Sequence, residues 1–514
     1  MVSVIKITFR TDASLAIGTG HVMRCLALAR SARALGAVCR FITRALPGHM
    51  GDRILKEGFD MTLLPAPRGH TPLGPPNHAH WAEVDWVRDA EETRAALDTP
   101  PDWLVMDHYA LDARWQHAAR PEGTKLMVID DLADRPHDCD LLLDQNLGRI
   151  AADYDGLVPD RCTRLTGPRY ALLRPEFAQA RAAALADRAG RGFCHLLITM
   201  GGVDPHDATS QVLRAVQGAP LPESLRITVV MGSQAPALDQ VRALARDMPR
   251  PTEIAVDVTD MAARMASSDL AIGAAGSTTW ERCALGLPTI IVQIADNQAG
   301  IARALSTAGT ARDPGPLHAP EFAQKLQAAL AEAPSRFGMM VERAAEICDG
   351  DGAVRVVAAL CSPAVSFRAA ERGDSRRVWD WRRAIDPAFN MTSDQTAFEA
   401  HDLWFRRGIE SPDRQFRIMM IGELACGYLR LDRIRDSRAR VSICLSPDTR
   451  GQGLGHRLLD EANALGLRHG ITRLDAEIHP QNMASRRVFD SAGYVEADIV
   501  DGFLNCHRML EDAS

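Results

Sequence analysis

The sequence predicts an α/β chain in three parts: a pair of doubly wound parallel-sheet domains, followed by a smaller α+β domain. Three observations carry this. Short, fully apolar runs ending in Asp, Trp103–Asp107 (WLVMD) and Leu126–Asp130 (LMVID), alternate with helical patterns, as in a parallel sheet covered on both faces. The same alternation restarts at His195–Met200 (HLLITM). After a short linker at 361–365 (CSPAV), strands follow one another with few helices between them, the pattern of a mixed sheet. A chain of 514 residues also exceeds what one hydrophobic core fills. The expected domains are 1–158, 159–361 and 366–514.

Taken in order, Val4–Phe9 reads as the first strand and Met23–Leu35 as the helix after it, with Leu26, Ala27, Arg30 and Leu35 at helical spacing. Pro65–His80, rich in Pro, Gly and His, reads as a surface loop. In the second part, strands are expected at Arg226–Met231, Leu270–Gly273 and Thr289–Gln293, with helices between them and on to about residue 360. In the third, strands at Phe416–Ile421, Ala425–Asp432 and Arg440–Leu445 lead through SPDTRGQGLG into a helix carrying Leu454, Leu458, Leu459, Ala462 and Leu465. A further strand is expected at Leu474–Ile478.

Composition excludes several classes. With 46% apolar and 24% charged residues the chain is expected to fold throughout. A formal net charge of −7 argues against a non-specific nucleic-acid partner, which needs a basic surface. Eleven Cys without CxxC pairs or Cys/His clusters fit a reducing compartment and predict no zinc site. The first residues, MVSVIKITFRTDAS, lack a charged leader ahead of an apolar stretch, and no apolar run is long enough for a membrane span. A cytoplasmic protein without a membrane partner is the expectation.

In RTDASLAIGTGHVMRCLALA, Gly18 and Gly20 let the chain turn sharply after the first strand, and His21 opens the next helix. Backbone N–H groups there can receive negative charge, and the helix dipole disfavours the protonated imidazole, leaving His21 able to act as a base. The other reading is a shaped turn with a capping or packed His. Ala275–Glu281 (AGSTTWE) follows a strand and opens a helix. Gly276 permits close approach, Ser277 and Thr278 suit phosphate oxygens, and Glu281 lies one turn on from Ser277, where a carboxylate can hold a ribose diol. Ser277 as a plain N-cap predicts much the same residues. Asn297 and Gln298 stand at another carboxyl edge, where α/β ligands bind. Asp130–Asp131 resembles a Mg²⁺ pair, but no further ligand spacing supports one; no metal is expected. In the third part, Arg450-Gly451-Gln452-Gly453-Leu454-Gly455 follows a strand and opens a helix. Its glycines free successive N–H groups to face a pyrophosphate, and Arg450 can add charge.

Taken together, RTDASLAIGTGHVMRCLALA, VIDDLADRPHDCDLLLDQN, GPRYALLRPEF, ITMGGVDPHDAT and GAAGSTTWERCALGLPTIIVQIADNQ, in this order over residues 4–350, resemble the UDP-sugar hydrolases of pseudaminic-acid biosynthesis. These are relatives of the GT-B glycosyltransferases. The resemblance implies a GT-B-like pair of domains that hydrolyse UDP-2,4-diacetamido-2,4,6-trideoxy-β-L-altropyranose at the sugar C1–O bond with inversion. His21 is implied as general base. Gly276, Ser277, Thr278 and Glu281 are implied near the nucleotide, Asn297 and Gln298 near the diphosphate or sugar. Gly18, Gly20, Gly201 and Gly202 are counted with the substrate-binding residues. Asp12 and Asp131 are expected to orient the imidazole or the sugar, or to be structural.

RGQGLG with the later HPQNMASRRVFDSAGYVE resembles the GNAT acetyltransferases over residues 366–510. It implies acetyl-CoA as co-substrate, with the pyrophosphate at Arg450, Gly451, Gly453 and Gly455, Asn482 on the CoA arm, and pantetheine along Ile443–Leu445. Phe489 departs from the family, many of whose members have a proton-donating Tyr there. Tyr494, Ser485, water, or departure as free thiolate are the alternatives, and Glu423 and Glu477 the candidate bases. The implied whole is a bifunctional enzyme that N4-acetylates a UDP-activated amino sugar and then removes UDP. Its rivals are a GT-B glycosyltransferase and a non-catalytic acetyl-CoA-sensing GNAT domain.

Overall fold

The computed structural model describes residues 4–67, 72–188, 190–295, 298–361, 365–385, 397–421, 424–450 and 454–510. The chain forms two compact units that meet in sequence at Val356/Val357. Among the described residues, the first unit holds two sheets and the second holds one.

The first sheet comprises β1 (Lys6–Thr11), β2 (Val38–Arg44), β3 (Asp60–Leu64), β4 (Trp103–Asp107), β5 (Lys125–Ile129), β6 (Leu141–Asp144) and β7 (Thr163–Thr166). Its order is β3-β2-β1-β4-β5-β6-β7, parallel throughout. Helices cover both faces, which is why WLVMD is buried at every position instead of alternating. The order reverses between β1 and β4, leaving a crevice beyond their carboxyl ends. The first strand and helix lie two or three residues from where the apolar pattern put them, and β7 pairs along β6, so this sheet runs past the expected boundary at 158.

The second sheet comprises β8 (His195–Thr199), β9 (Arg226–Met231), β10 (Thr252–Val256), β11 (Leu270–Ala274), β12 (Thr289–Val292) and β13 (Ala311–Arg312). It is also parallel, in the order β10-β9-β8-β11-β12-β13, and reverses between β8 and β11. The helix Gly352–Cys361 begins against Tyr170 and Ala171, which follow β7.

The second unit holds β14 (Val365–Ala369), β15 (Arg414–Ile421), β16 (Leu424–Arg435), β17 (Arg438–Leu445), β18 (Arg473–Ile478), β19 (Val495–Val500) and β20 (Phe503–Met509), ordered β14-β15-β16-β17-β18-β20-β19. All neighbours are antiparallel except β17 and β18. That parallel pair joins only over Arg438–Arg440 and Arg473–Asp475, so the two strands part towards their carboxyl ends. No helix among the described residues is long and apolar enough to cross a membrane.

Gly352 gives a direct test of this packing. A Cβ there would collide with the backbone of Ala171 and Tyr170, which cannot rotate away. Gly352→Ala is expected to cost about 3 kcal/mol, as overpacking does. Gly338→Ala, at a helical position with open space around it, should leave stability unchanged or slightly raised. Urea unfolding of the two variants beside the parent checks both.

Candidate active site

The chain leaves β1 through a turn held by its own backbone: Gly18 N–H donates to Ser14 O (2.8 Å), and Ser14 Oγ accepts from Ala16 and Ile17 N–H (3.2 and 3.0 Å). Gly18 has φ +80°, which glycine adopts without strain. The turn delivers His21 to the second position of α1 (Gly20–Ala34), where it is 7% exposed.

His21 Nδ1 lies 2.5 Å from Oδ1 of Asp107, the last residue of β4, directly across the reversal point. The same carboxylate receives Arg24 through Nε (2.6 Å) and Nη2 (2.7 Å). Arg24 Nη1 reaches on to Asp131 Oδ2 (2.6 Å), which also accepts from the Tyr109 hydroxyl (2.6 Å). An ionised carboxylate only accepts, so Nδ1 carries the hydrogen and the Nε2 lone pair is free to take one. Among the described residues nothing bonds to Nε2. Burial alone would raise the Asp107 carboxyl, but Arg24 and His21 outweigh it and hold it well below the usual carboxylate range. Burial, then Asp131, pushes the Tyr109 phenol up, so it remains a neutral donor. Tyr109 meets the imidazole edge-on (4.6 Å between centroids), and Trp81 stacks on Tyr109 at 5.5 Å.

Asp107, Arg24, Tyr109 and Trp81 were not singled out from sequence. Signals existed for two of them: Asp107 ends a buried strand at the carboxyl edge, and Arg24 stands three residues after His21, on the same helix face. Asp131 joins the site. Asp12 does not: it is 0% exposed and held by Arg10 (2.7 Å), Arg44 N–H (2.7 Å) and Thr43 Oγ1 (3.2 Å). Burial would raise its carboxyl, yet Arg10 and His108 hold it well below the usual range. It ties β1 to β2 and is buried away from solvent, with His108 on its other oxygen at 3.4 Å. Asp130 likewise turns to Arg135 (2.8 Å) and away from Asp131's partners.

In the second half, the turn after β11 carries Gly276, Ser277 and Thr278 into the helix Thr278–Ala284. A Cβ on Gly20 would lie 4.0 Å from Ser277 Oγ, so the turns that open the two helices face each other. Ser277 is exposed and makes no capping bond. Glu281 is largely buried near Arg174 (3.5 Å); burial raises its carboxyl more than Arg174 lowers it. Below the turn lies Arg282, 1% exposed, donating to Ala274 O (2.9 Å), Thr279 Oγ1 (3.1 Å) and Thr278 Oγ1 (3.3 Å). Burial pulls its pKa down to about 10, so it stays cationic at neutral pH.

Gly201 (φ +100°) and Gly202 follow β8 and are exposed at the second reversal point; Gly202 O accepts from Gly232 N–H (2.9 Å). Gln298 spends its side-chain oxygen on Ile294 N–H (3.0 Å), pinning the turn after β12. Asn297 lies outside the described residues. A cavity of about 640 Å³ opens between the halves, lined by Asp131, Asn146 and Arg149 on one side and Gly300, Ile301 and Arg303 on the other.

In the second unit, Ile443 and Leu445 lie on β17 beyond the point where β18 leaves it, with β16 on the other side. Arg450 donates to Ala384 O (2.6 Å), Trp381 O (3.1 Å) and Leu445 O (3.3 Å). Its guanidinium therefore closes off a helix end and does not wait for a phosphate. Gly455 leaves room for Val488 of the neighbouring helix, 3.0 Å from where its Cβ would stand. Asn482 Oδ1 caps the helix Met483–Ser491 through Ser485 N–H (3.1 Å). Glu477 is paired with Arg440 (2.8 Å). Phe489 is buried edge-on to Tyr494 (4.9 Å), whose buried hydroxyl has no hydrogen-bond partner among the described residues. Gly451, Gly453 and Glu423 lie outside the described residues.

Fold and site together define a class: a pair of doubly wound parallel-sheet domains, with a polar cluster at the reversal points, and a mixed α+β domain after it. Residues 195–332 match the glycosyltransferase family 28 C-terminal domain, and residues 376–494 match the acetyltransferase (GNAT) family. The UDP-2,4-diacetamido-2,4,6-trideoxy-beta-L-altropyranose hydrolase of Campylobacter jejuni is 27% identical over 242 residues, 47% of this chain and 74% of that protein. The spore coat polysaccharide biosynthesis protein SpsG of Bacillus subtilis is 30% identical over 149 residues, 29% of this chain and 43% of that protein. Among solved structures, MurG of Acinetobacter baumannii aligns over 70% of this chain and 99% of its own, at 18% identity and a TM-score of 0.49.

One group beside the cavity gives the first unit a pH signature. The Tyr154 hydroxyl lies 3.0 Å from Asp130 Oδ2 and 2.9 Å from Asp144 Oδ2, and its single hydrogen serves only one of them. Arg135 keeps Asp130 ionised, so the second bond needs a proton on Asp144. Burial, then the charge of Asp131, raises Asp144 to about 7. The folded state thus binds this proton more tightly than the unfolded one. That contribution is complete below about pH 4 and is lost as pH rises through about 7. Asp144→Asn keeps the uncharged form at every pH. Its thermal midpoint relative to the parent should therefore rise between pH 5 and pH 8, by about 5 °C or more; a pH-independent difference would contradict the assignment.

Proposed function

We propose that residues up to about 350 hydrolyse a UDP-linked amino sugar, UDP-2,4-diacetamido-2,4,6-trideoxy-β-L-altropyranose or a close stereoisomer, and that the GNAT domain acetylates its 4-amino precursor from acetyl-CoA. One observation carries the first half of this reading. An imidazole tautomer fixed by Asp107 presents an unbonded Nε2 across the crevice from the Gly276–Thr278 turn. A water on Nε2 would lose its proton there as it attacks C1 from the face opposite the leaving group, giving inversion. UDP is a good leaving group and needs anion stabilisation more than protonation. The N–H groups and hydroxyls of the turn, with the Arg282 charge beneath it, can supply that. The forming imidazolium is stabilised by Asp107, as in the general pattern of a carboxylate behind a catalytic histidine. Glu281 is the carboxylate at hand for a ribose diol, and the resemblance assigns Asn297 and Gln298 to the diphosphate or sugar.

For the second half, the GNAT match and the parting of β17 from β18 support acetyl-CoA bound along Ile443–Leu445, with Gly451, Gly453 and the opening of the helix Leu454–Arg468 at the pyrophosphate. Phe489 has no proton to give, so the CoA sulfur leaves as thiolate or takes its proton from water.

Mass spectrometry of the products formed from UDP-4-amino-4,6-dideoxy-β-L-AltNAc and acetyl-CoA tests both steps at once. Free diacetamido sugar, UDP and CoA are expected in equal amounts. With His21→Ala, the acetylated UDP-sugar should accumulate, hydrolysis falling by about 10²–10⁴-fold while CoA release continues. UDP release in the parent only when a carbohydrate acceptor is added would mean a glycosyltransferase, and no CoA release would mean a sensor domain.

A further inference from the structure

Around the base stands a group of rings that the hydrolysis step does not use. Trp81, on the short turn Ala79–Ala82, stacks on Tyr109 with ring planes 26° apart. His78 meets Trp81 at 4.8 Å and Tyr109 at 5.6 Å, and Trp81 stands 6.4 Å from the His21 ring. Tyr109 and His21 are buried, whereas Trp81 and His78 keep part of their surface in solvent. The indole N–H bonds to no described residue. Tyr109 cannot swing, since Asp131 holds its hydroxyl (2.6 Å), so Trp81 rests on a fixed support. Asp131 in turn spends Oδ2 on Arg24 and Tyr109, while its Oδ1, itself buried, has no hydrogen-bond partner among the described residues.

A pyranose whose C1 faces a water on His21 Nε2 comes within van der Waals reach of a ring 6.4 Å from that imidazole. Aromatic faces there favour C–H and methyl groups and penalise hydroxyls, which would be stripped of water without gaining a partner. An unpaired carboxylate oxygen beside them wants an N–H donor. An N-acyl amino group on a deoxygenated ring offers both, a methyl for the rings and an N–H for Asp131. We infer that Trp81, stacked on Tyr109 beside the free oxygen of Asp131, sets the sugar specificity of this site, selecting N-acylated deoxy sugars over hydroxylated ones. This rests on the hydrolase reading and says which sugar such a site takes.

The test uses the full chain, with UDP-2,4-diacetamido-2,4,6-trideoxy-β-L-altropyranose and UDP-N-acetylglucosamine as paired substrates and UDP as competitor. Trp81→Ala should lose about 10–100-fold in kcat/KM on the first sugar, the scale of one well-fitted apolar contact, and almost nothing on the second. The inhibition constant of UDP should not change, and Trp81→Phe should recover most of the preference. An unchanged preference, or an equal loss on both sugars, overturns the assignment while leaving the hydrolase reading intact. UDP release from neither substrate by the parent overturns the hydrolase reading instead. In that event the methyl resonances of the free diacetamido sugar decide. Ring-current shifts with His21→Ala that vanish in the His21→Ala/Trp81→Ala double variant uphold the aromatic site, and their absence from both removes it.

Discussion

The first unit turns on a single carboxylate. Asp107 ends β4 opposite Thr11 at the end of β1, at the one place in a doubly wound sheet where neighbouring connections run to opposite faces and leave a crevice. It receives His21 and two nitrogens of Arg24. Three charges are locked together: Asp107 and Asp131 negative, Arg24 positive. The set is one positive charge short of balance, and an imidazolium at His21 would restore it. In the proposed reaction, that is the state His21 would reach after taking a proton from water. Removing Asp107 would leave Arg24 Nε and Nη2 without their partner in the interior, with only Nη1 still paired to Asp131, a loss of the kind that costs about 3 kcal/mol. The same residue thus fixes tautomer, position and local stability.

The two halves of this unit divide the chemistry by repeating one topology. Each has its functional turn at its own reversal point, between β1 and β4 in one sheet and between β8 and β11 in the other. Gly20 and Ser277 show that these turns approach. In the proposed reaction the first half would bring the proton acceptor and the second what an anion needs. Arg282 fits that division. A guanidinium 1% exposed, bonded to a carbonyl and two hydroxyls, is an expensive group to bury. Gly273 lacks a side chain where that guanidinium lies, so strand and helix are shaped around the charge, which sits beneath the N–H groups of the turn.

Sequence pattern revealed the architecture because parallel strands buried on both faces leave continuous apolar runs, WLVMD and HLLIT being complete strands. Short edge elements were harder. β7 has the pattern TRLT, with one buried residue, and only its pairing to β6 shows that the first sheet includes it. In the site, residues whose role is local were legible: His21 at a helix start, Ser277 in a glycine turn. Residues whose role depends on a distant partner were not. Asp12 and Asp107 look alike in sequence, each at the end of a strand, yet Asp12 faces Arg10 and Asp107 faces His21, some 86 residues away along the chain. Arg450 and Gly455 misled for the complementary reason. A motif says which atoms are present, and packing decides what they touch: here a helix end and Val488.

That distinction bears on why two reactions would share one chain. Tethering alone raises the local concentration of an intermediate only modestly. Recognition does more. Acetylation turns a charged amine into an amide with an N–H, for which Asp131 Oδ1 has no partner among the described residues, and a methyl, which suits the Trp81–Tyr109 rings. An ammonium group in the same place would have to shed its water and would bring no methyl for the aromatic faces. A sugar that skipped acetylation would then be held poorly at the base and keep its UDP. If the proposed reactions and sugar contacts hold, the order of the two steps would follow from what that pocket accepts.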